Sequence, residues 1–280
     1  MSRWVAALLL AASTLMAVPA WGADPSVRYW RAIASSNLIV TGQISVPPEI
    51  QGKPADYISL RIQLDRTLKG DPGGREIAVR YFPSEASYAV PYKRLLSLDK
   101  QRVIVFLESG RVEYKTDWYF VAFSGVEPEN GQATAEIQAE VTRQENVLRD
   151  WKPGPRSKYT GTVKRLINQT TKAKEEEKAF RDLEDLGMAA VPDMIDMMDD
   201  RRPLPNPGIT LRNPPGAFEG VRYYGPKQVV DALAAILNQV AGYSFGFIYS
   251  GGSDQERDHS VAGWRIYSDI LRNHPTVIPH

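Results

Sequence analysis

The stretch Ala179–Asp200, AFRDLEDLGMAAVPDMIDMMDD, constrains the fold of this chain more than any other. Ala179, Phe180, Leu183 and Leu186 recur at helical spacing, with Arg181, Asp182, Glu184 and Asp185 between them. Gly187 stands where a helix ends in a left-handed residue. Pro192 falls near the first turn of the next segment, where its missing N–H costs nothing. Val191, Met194, Ile195 and Met198 then give that segment one apolar face. Helices this short are unstable alone, so both faces must be buried against further helices. The residues dictate a helical hairpin inside a helical unit, and they carry no chemistry.

The remainder of the C-terminal half fits such a unit. Val163, Leu166 and Ile167 mark a preceding helix, and Lys172–Lys178 (KAKEEEK) reads as the solvated entry to the hairpin. Gly225-Pro226 opens a helix striped by Val229, Val230, Leu233, Ile236, Leu237 and Val240, which Gly242 ends. Ser253…Glu256 is a capping box for a last helix carrying Val261, Trp264, Tyr267, Ile270 and Leu271. Between them, residues 201–224 form a long connection rich in Pro, Gly and Asn. A loop of that length in a compact domain is functional or disordered, which makes Phe218, Tyr223 and Tyr224 the binding candidates. The hairpin itself, with a small residue and Leu on its first helix, Leu186-Gly187 and then Ala190-Val191-Pro192, resembles the repeating unit of HEAT proteins. That resemblance covers a single unit and implies scaffolding and protein binding rather than catalysis. A plain antiparallel helix pair in an unrelated helical domain fits the same residues.

The N-terminal half reads as strands. Leu38–Ile44 is a β-branched run. Ile58, Leu60, Ile62 and Leu64 alternate with Ser59, Arg61, Gln63 and Asp65. Lys69–Gly74 (KGDPGG) is a turn. Glu76–Phe82, Arg102–Leu107 and Trp118–Phe123 are three more strands, and Ala133–Trp151 is helical with Ile137, Val141, Leu148 and Trp151 on one side. Five strands at short spacing predict a small closed or partly open barrel. The segments Ser36–Gly42, Leu68-Lys69-Gly70 and Val103–Leu107 resemble the netrin-like module, an OB-type barrel of metalloproteinase inhibitors and other secreted proteins. Inhibitors of that family act through a cysteine at the mature N-terminus, and this chain has no cysteine. A generic β-barrel or sandwich also fits. The aromatics Tyr57, Tyr81, Phe82, Tyr88, Tyr92, Trp118 and Tyr119 serve either a ligand platform or, more simply, strand packing.

A short basic start, an apolar run over Val5–Val18 and small residues at Ala20 and Gly22 make a secretory signal peptide. No later segment reaches the length of a membrane span. The expected location is the periplasm of a Gram-negative cell, or outside the cell otherwise. A net charge of +1 with interspersed signs argues against a nucleic-acid platform. The absence of cysteine excludes disulfides, Cys-zinc sites and thiol nucleophiles.

One catalytic pattern is present. Gly242-Tyr243-Ser244-Phe245-Gly246 matches the nucleophile elbow G-x-S-x-G, and Asp254 and His259 follow in α/β-hydrolase order. An elbow needs a strand before its serine and a helix after it. Here a long amphipathic helix comes first, so Gly242 is better read as its C-terminal cap. His259, His274 and His280 have no paired ligand spacing, no loop has the ligand pattern of a calcium site, and neither metal nor cofactor is expected.

The sequence therefore predicts an α+β multidomain chain. Residues 1–22 are a signal peptide, 27–152 an OB-like β-barrel with a trailing helix, 153–159 a Pro/Gly-rich linker, and 160–280 a HEAT-like helical domain. The expected function is an exported, non-enzymatic binding or scaffold protein whose partner is a protein or an envelope component. The alternatives are a serine hydrolase using Ser244, Asp254 and His259, and a netrin-like proteinase inhibitor.

Overall fold

Alternating side chains build the first half of the molecule. The computed structural model describes residues 27–47, 58–81, 92–109, 119–206, 208–212 and 221–277. The expected signal peptide (residues 1–22), Phe218, His280, and the aromatics Tyr57, Phe82, Tyr88 and Trp118 lie outside them. The fold is mixed α+β. Five strands, β1 (Leu38–Ser45), β2 (Ile58–Lys69), β3 (Glu76–Tyr81), β4 (Arg102–Ser109) and β5 (Tyr119–Pro128), pair in the order β1-β2-β3-β5-β4. β1 has β2 antiparallel on one side and β4 antiparallel on the other, with Leu38 opposite Leu107 and Gln43 opposite Arg102. β5 runs antiparallel to β4 and meets β3 in a short parallel pairing, Val79 with Tyr119 and Arg80 with Phe120.

The apolar run of β4 has two destinations. Val103, Val105 and Leu107 join Val40, Ile44, Leu60, Ile62 and Val79 in the core inside the sheet, which Leu95 and Leu98 of and beside helix α2 (Tyr92–Ser97) also enter. Ile104 and Phe106 face the other way, into a second core with Ile39 and Leu68. Strands buried on both faces lose the polar half of their alternation, hence RVIVFL. The second core is covered by Ala133, Ile137 and Val141 of helix α3 (Gly131–Arg149) and by Ala32 and Ile33 of α1 (Trp30–Ser35).

The second half is helical: α4 (Thr160–Thr170), α5 (Glu176–Asp185), α6 (Val191–Ile195), α7 (Val229–Ala241) and α8 (Asp254–Asn273), with a short hairpin of β6 (Ile209–Arg212) and β7 (Val221–Tyr224). Gly187, at φ 61°, makes the turn between α5 and α6, with Pro192 in the first turn of α6. Val191, Met194, Ile195 and Met198 are all buried, although α6 itself ends at Ile195. Gly242, at φ 71°, caps α7 in the left-handed conformation, and Ser253 with Glu256 forms the capping box of α8.

One expectation is corrected. The charge run is not all solvated: Glu176 is buried and accepts the Asn206 backbone N–H at 3.1 Å. The Pro/Gly-rich connection after α3 is held by hydrogen bonds. Gly154 N–H donates to Asp196 (2.9 Å), and the hydroxyls of Ser157 and Thr160 donate to Asp193 (2.6 and 2.5 Å). Trp151, just before it, lies beneath the guanidinium groups of Arg265 and Arg272.

Candidate functional site

Helix α1 is where the two halves meet. It has six residues, too few to be stable alone. One face, Trp30 and Ala34, belongs to the helical core, and the other, Ala32 and Ile33, covers the sheet. Trp30 packs among Tyr243, Phe245 and Tyr267, with ring centroids 5.7, 6.2 and 6.1 Å away. A helix end leaves carbonyls without intrahelical partners, and here side chains from three elements hold the carbonyls of α1. Gln144 of α3 donates to Trp30 O (2.8 Å), Lys69 Nζ at the end of β2 to Ile33 O (2.6 Å), and His259 Nε2 of α8 lies 3.1 Å from Ser35 O. A carbonyl only accepts, so Nε2 carries the proton in that bond.

Half-buried ionisable groups gather around this seam. Burial lowers the Lys69 ammonium to about 8, against a partial offset from Glu145. Burial, with the Lys69 charge beside it, lowers His259 to about 4, so the ring is neutral at pH 7. Burial raises the Glu108 carboxyl, near the end of β4, to about 7, although the Arg31 guanidinium opposes it. Arg31 lies over the Tyr243 ring at 4.8 Å. Perturbed groups of this kind mark candidate sites.

The contacts continue without a break to the aromatic loop after α7. Ser109 donates its N–H to the Asn37 side chain (2.9 Å), next to α1. The His259 ring lies against Gly246. Ser244 donates to the Gly246 carbonyl (3.2 Å) and accepts from Tyr249 OH at 2.5 Å. The Tyr249 ring stands edge-on to Tyr224 (5.6 Å) and to Phe247 (6.4 Å), and Gln239 donates to Tyr224 OH at 2.6 Å.

The proposed serine, aspartate and histidine are not assembled as a relay. Ser244 and His259 share the Gly246 loop, but each is engaged elsewhere. Asp254 opens α8 with its side chain 88% exposed and faces Arg257 at 3.3 Å. Arg257 is itself paired with buried Asp231 at 2.8 Å. Gly242 closes a helix here, where an elbow requires a strand to end. Among the described residues, no group of three or more His, Asp or Glu side chains is placed to hold a metal ion.

Of the binding candidates, Tyr223 and Tyr224 fall on β7, and Phe218 lies outside the described residues. Ile209 and Leu211 are buried beneath the β6–β7 hairpin, and Tyr223 points away, 79% exposed, opposite Thr210. Glu184 accepts the Arg212 N–H at 2.8 Å and Glu176 holds Asn206, so the helices fix the approach to the hairpin. Sequence reading missed Lys69, Glu108 and Glu176. Lys69 reads in sequence only as the start of a turn, Glu108 sits near a strand end with no local motif, and Glu176 is hidden in a charge run.

In comparisons with known protein families and with curated proteins, the chain matches no family model and shows no significant similarity to a curated protein. Among the described residues, no helix is long and apolar enough to cross a membrane.

Proposed function

We propose that this is an exported, non-enzymatic binding or scaffold protein that recognises a protein or an envelope component. The observation that carries the reading is Tyr223. A tyrosine ring held out to solvent on a short, anchored hairpin pays little ordering entropy on binding, and tyrosine is enriched among the residues that dominate interfaces. The engagement of Ser244, His259 and Asp254 in local bonds favours binding over hydrolysis. We infer further that the five strands form an OB-type barrel, supported by the cyclic order of their pairings, and that α4 to α8 are a HEAT-like unit, supported by the α5–α6 hairpin and its Gly187 and Pro192. An OB-type barrel accords with the netrin-like resemblance, but the cysteine that inhibitors of that family use is missing.

Affinity capture from envelope extract tests the binding reading, with the mature chain and its Tyr223→Ala variant compared by mass spectrometry. A stoichiometric partner recovered by the first and lost by the second is expected. Equal recovery by both removes the hairpin from the account. A fluorophosphonate probe should leave Ser244 unlabelled, and labelling abolished by Ser244→Ala would restore the hydrolase reading.

A further inference from the structure

One stretch of the chain breaks the even mixing of charge. From Trp151 to Lys174 there are seven basic residues and no acidic one, whereas the whole chain has 34 basic and 33 acidic residues, so the asymmetry is local. Helix α4 turns part of this charge outward. Val163, Leu166, Ile167 and Thr170 are buried, which leaves Gly161, Lys164, Arg165 and Asn168 on the exposed face. The connection before α4 is fixed to its first turn. Ser157 N–H donates to Thr160 Oγ1, and the Ser157 hydroxyl accepts the Tyr159 N–H, both at 2.8 Å. Arg156 and Lys158, both exposed, therefore stand at the N-terminal end of α4. The distance from Lys158 to Arg165 along the helix is roughly 10 Å.

This charge is not cancelled within the fold. Among the described residues, no carboxylate pairs with Arg156, Lys158, Lys164 or Arg165. Lys158 lies over the Tyr159 ring at 5.0 Å, and Arg165 donates to the neutral amide oxygen of Gln169 at 2.8 Å. The neighbouring helix α5 differs: Lys178 is paired with Asp182 at 2.7 Å and Arg181 with Glu177 at 3.3 Å. Asp193, which does touch this region, is buried and accepts from the Ser157 and Thr160 hydroxyls. At the far end of the face Asn168 accepts from Arg202, whose charge Asp200 already pairs. Like charges left together oppose folding, and anions supplied from outside relieve that repulsion.

The shape of the face selects the partner. Its charges are spread along a convex helix, which suits many anions in one plane rather than a single carboxylate or phosphate. A protein interface carries an apolar core, but the exposed residues of α4 are Gly161, Lys164, Arg165 and Asn168, with no apolar side chain to enter one. Gly161 opens the middle of the face, since a Cβ there would meet nothing within 4 Å. We propose that Arg156, Lys158, Lys164 and Arg165 form an electrostatic docking surface for a bilayer containing anionic phospholipid. This rests on the reading that the chain binds an envelope component, and it names that component for a surface other than the Tyr223 hairpin.

The test is flotation of the full mature chain with phosphatidylcholine vesicles, with and without about one third phosphatidylglycerol. Partition onto the anionic vesicles alone is expected, falling as salt is raised. Each cation near an anionic bilayer contributes about fivefold, so Lys158→Gln/Lys164→Gln/Arg165→Gln should weaken partition about a hundredfold. Arg66→Gln/Arg75→Gln/Lys93→Gln removes the same charge from exposed positions on the sheet half and should bind nearly as wild type does. Matching melting temperatures show that the variants are folded. If one melts early, acetylation of the wild type decides: anionic vesicles should protect Lys158 and Lys164 and leave Lys93 as reactive as before. Partition onto neither vesicle overturns the proposal, as does equal loss in both triple variants or a lack of protection at Lys158 and Lys164. Retention on immobilised polyglutamate without vesicle binding assigns the face to an acidic protein and overturns the bilayer. Tyr223→Ala should float as wild type does. A partner captured through Tyr223 with no vesicle binding would sink this inference while leaving the binding reading in place.

Discussion

Glu108 and His259 should make opposite and nearly cancelling contributions to the pH dependence of stability. His259 moves from an ordinary 6.5 to about 4 in the folded protein, so between those values the unfolded chain holds more protons. Its contribution is intact above pH 6.5 and is lost as the pH falls through 4. Glu108 moves from 4.5 to about 7, so across that window the folded protein holds more protons. Its contribution is intact below pH 4.5 and is lost as the pH rises through 7. At about 1.36 kcal/mol per pH unit, the change in each group corresponds to roughly 3 kcal/mol. Between pH 4.5 and 6.5 the two slopes oppose each other, and this part of the wild-type profile should be nearly flat. Glu108→Gln removes one of them. Relative to wild type, its stability should climb by up to about 3 kcal/mol between pH 4.5 and pH 7 or above. His259→Asn should show the opposite relative slope. Urea unfolding at half-unit pH intervals measures both differences. Variant profiles parallel to that of wild type would refute the assignment of these two groups to a desolvated seam.

Three further outcomes follow from packing. Gly263 of α8 lies against Phe245, whose Cδ1 would be 2.7 Å from an added methyl carbon. Gly263→Ala should therefore lower stability by about 1–3 kcal/mol, despite the gain of up to about 1 kcal/mol that alanine brings to a helix interior; thermal melting reads the sign. Asp231→Asn breaks the buried pair with Arg257 and should cost about 3–5 kcal/mol in chemical denaturation. Limited proteolysis should spare the connection around Gly154–Ser157 in wild type and cut it in Asp193→Ala, which frees the two hydroxyls that hold it.

The strands were legible because alternation is a local signal: Ile58, Leu60, Ile62 and Leu64 declared their face within eight residues. Helix ends at Gly242 and Ser253 were equally local. Helix α1 was not legible. WRAIAS buries residues on two opposed faces, so it shows no stripe, and it has no side-chain cap. The β6–β7 hairpin was hidden because each strand has only four residues and the two are separated by eight. The seam was the least legible part of all. Lys69, Glu108 and His259 lie far apart in the chain, and what unites them is the set of carbonyls and rings that α1 brings together. The G-x-S-x-G match misled for the opposite reason. Its Gly242 answers to a helix cap and its Ser244 to Tyr249, so a pattern in sequence stood in for chemistry that the fold does not assemble.

The most direct test of the binding account is a photo-crosslinking amino acid placed at position 223 of the exported chain in living cells. The account predicts one discrete crosslinked species in the envelope fraction, absent when the same residue is placed at position 188. Irradiation that yields no adduct at position 223, or the same adducts at both positions, would contradict it.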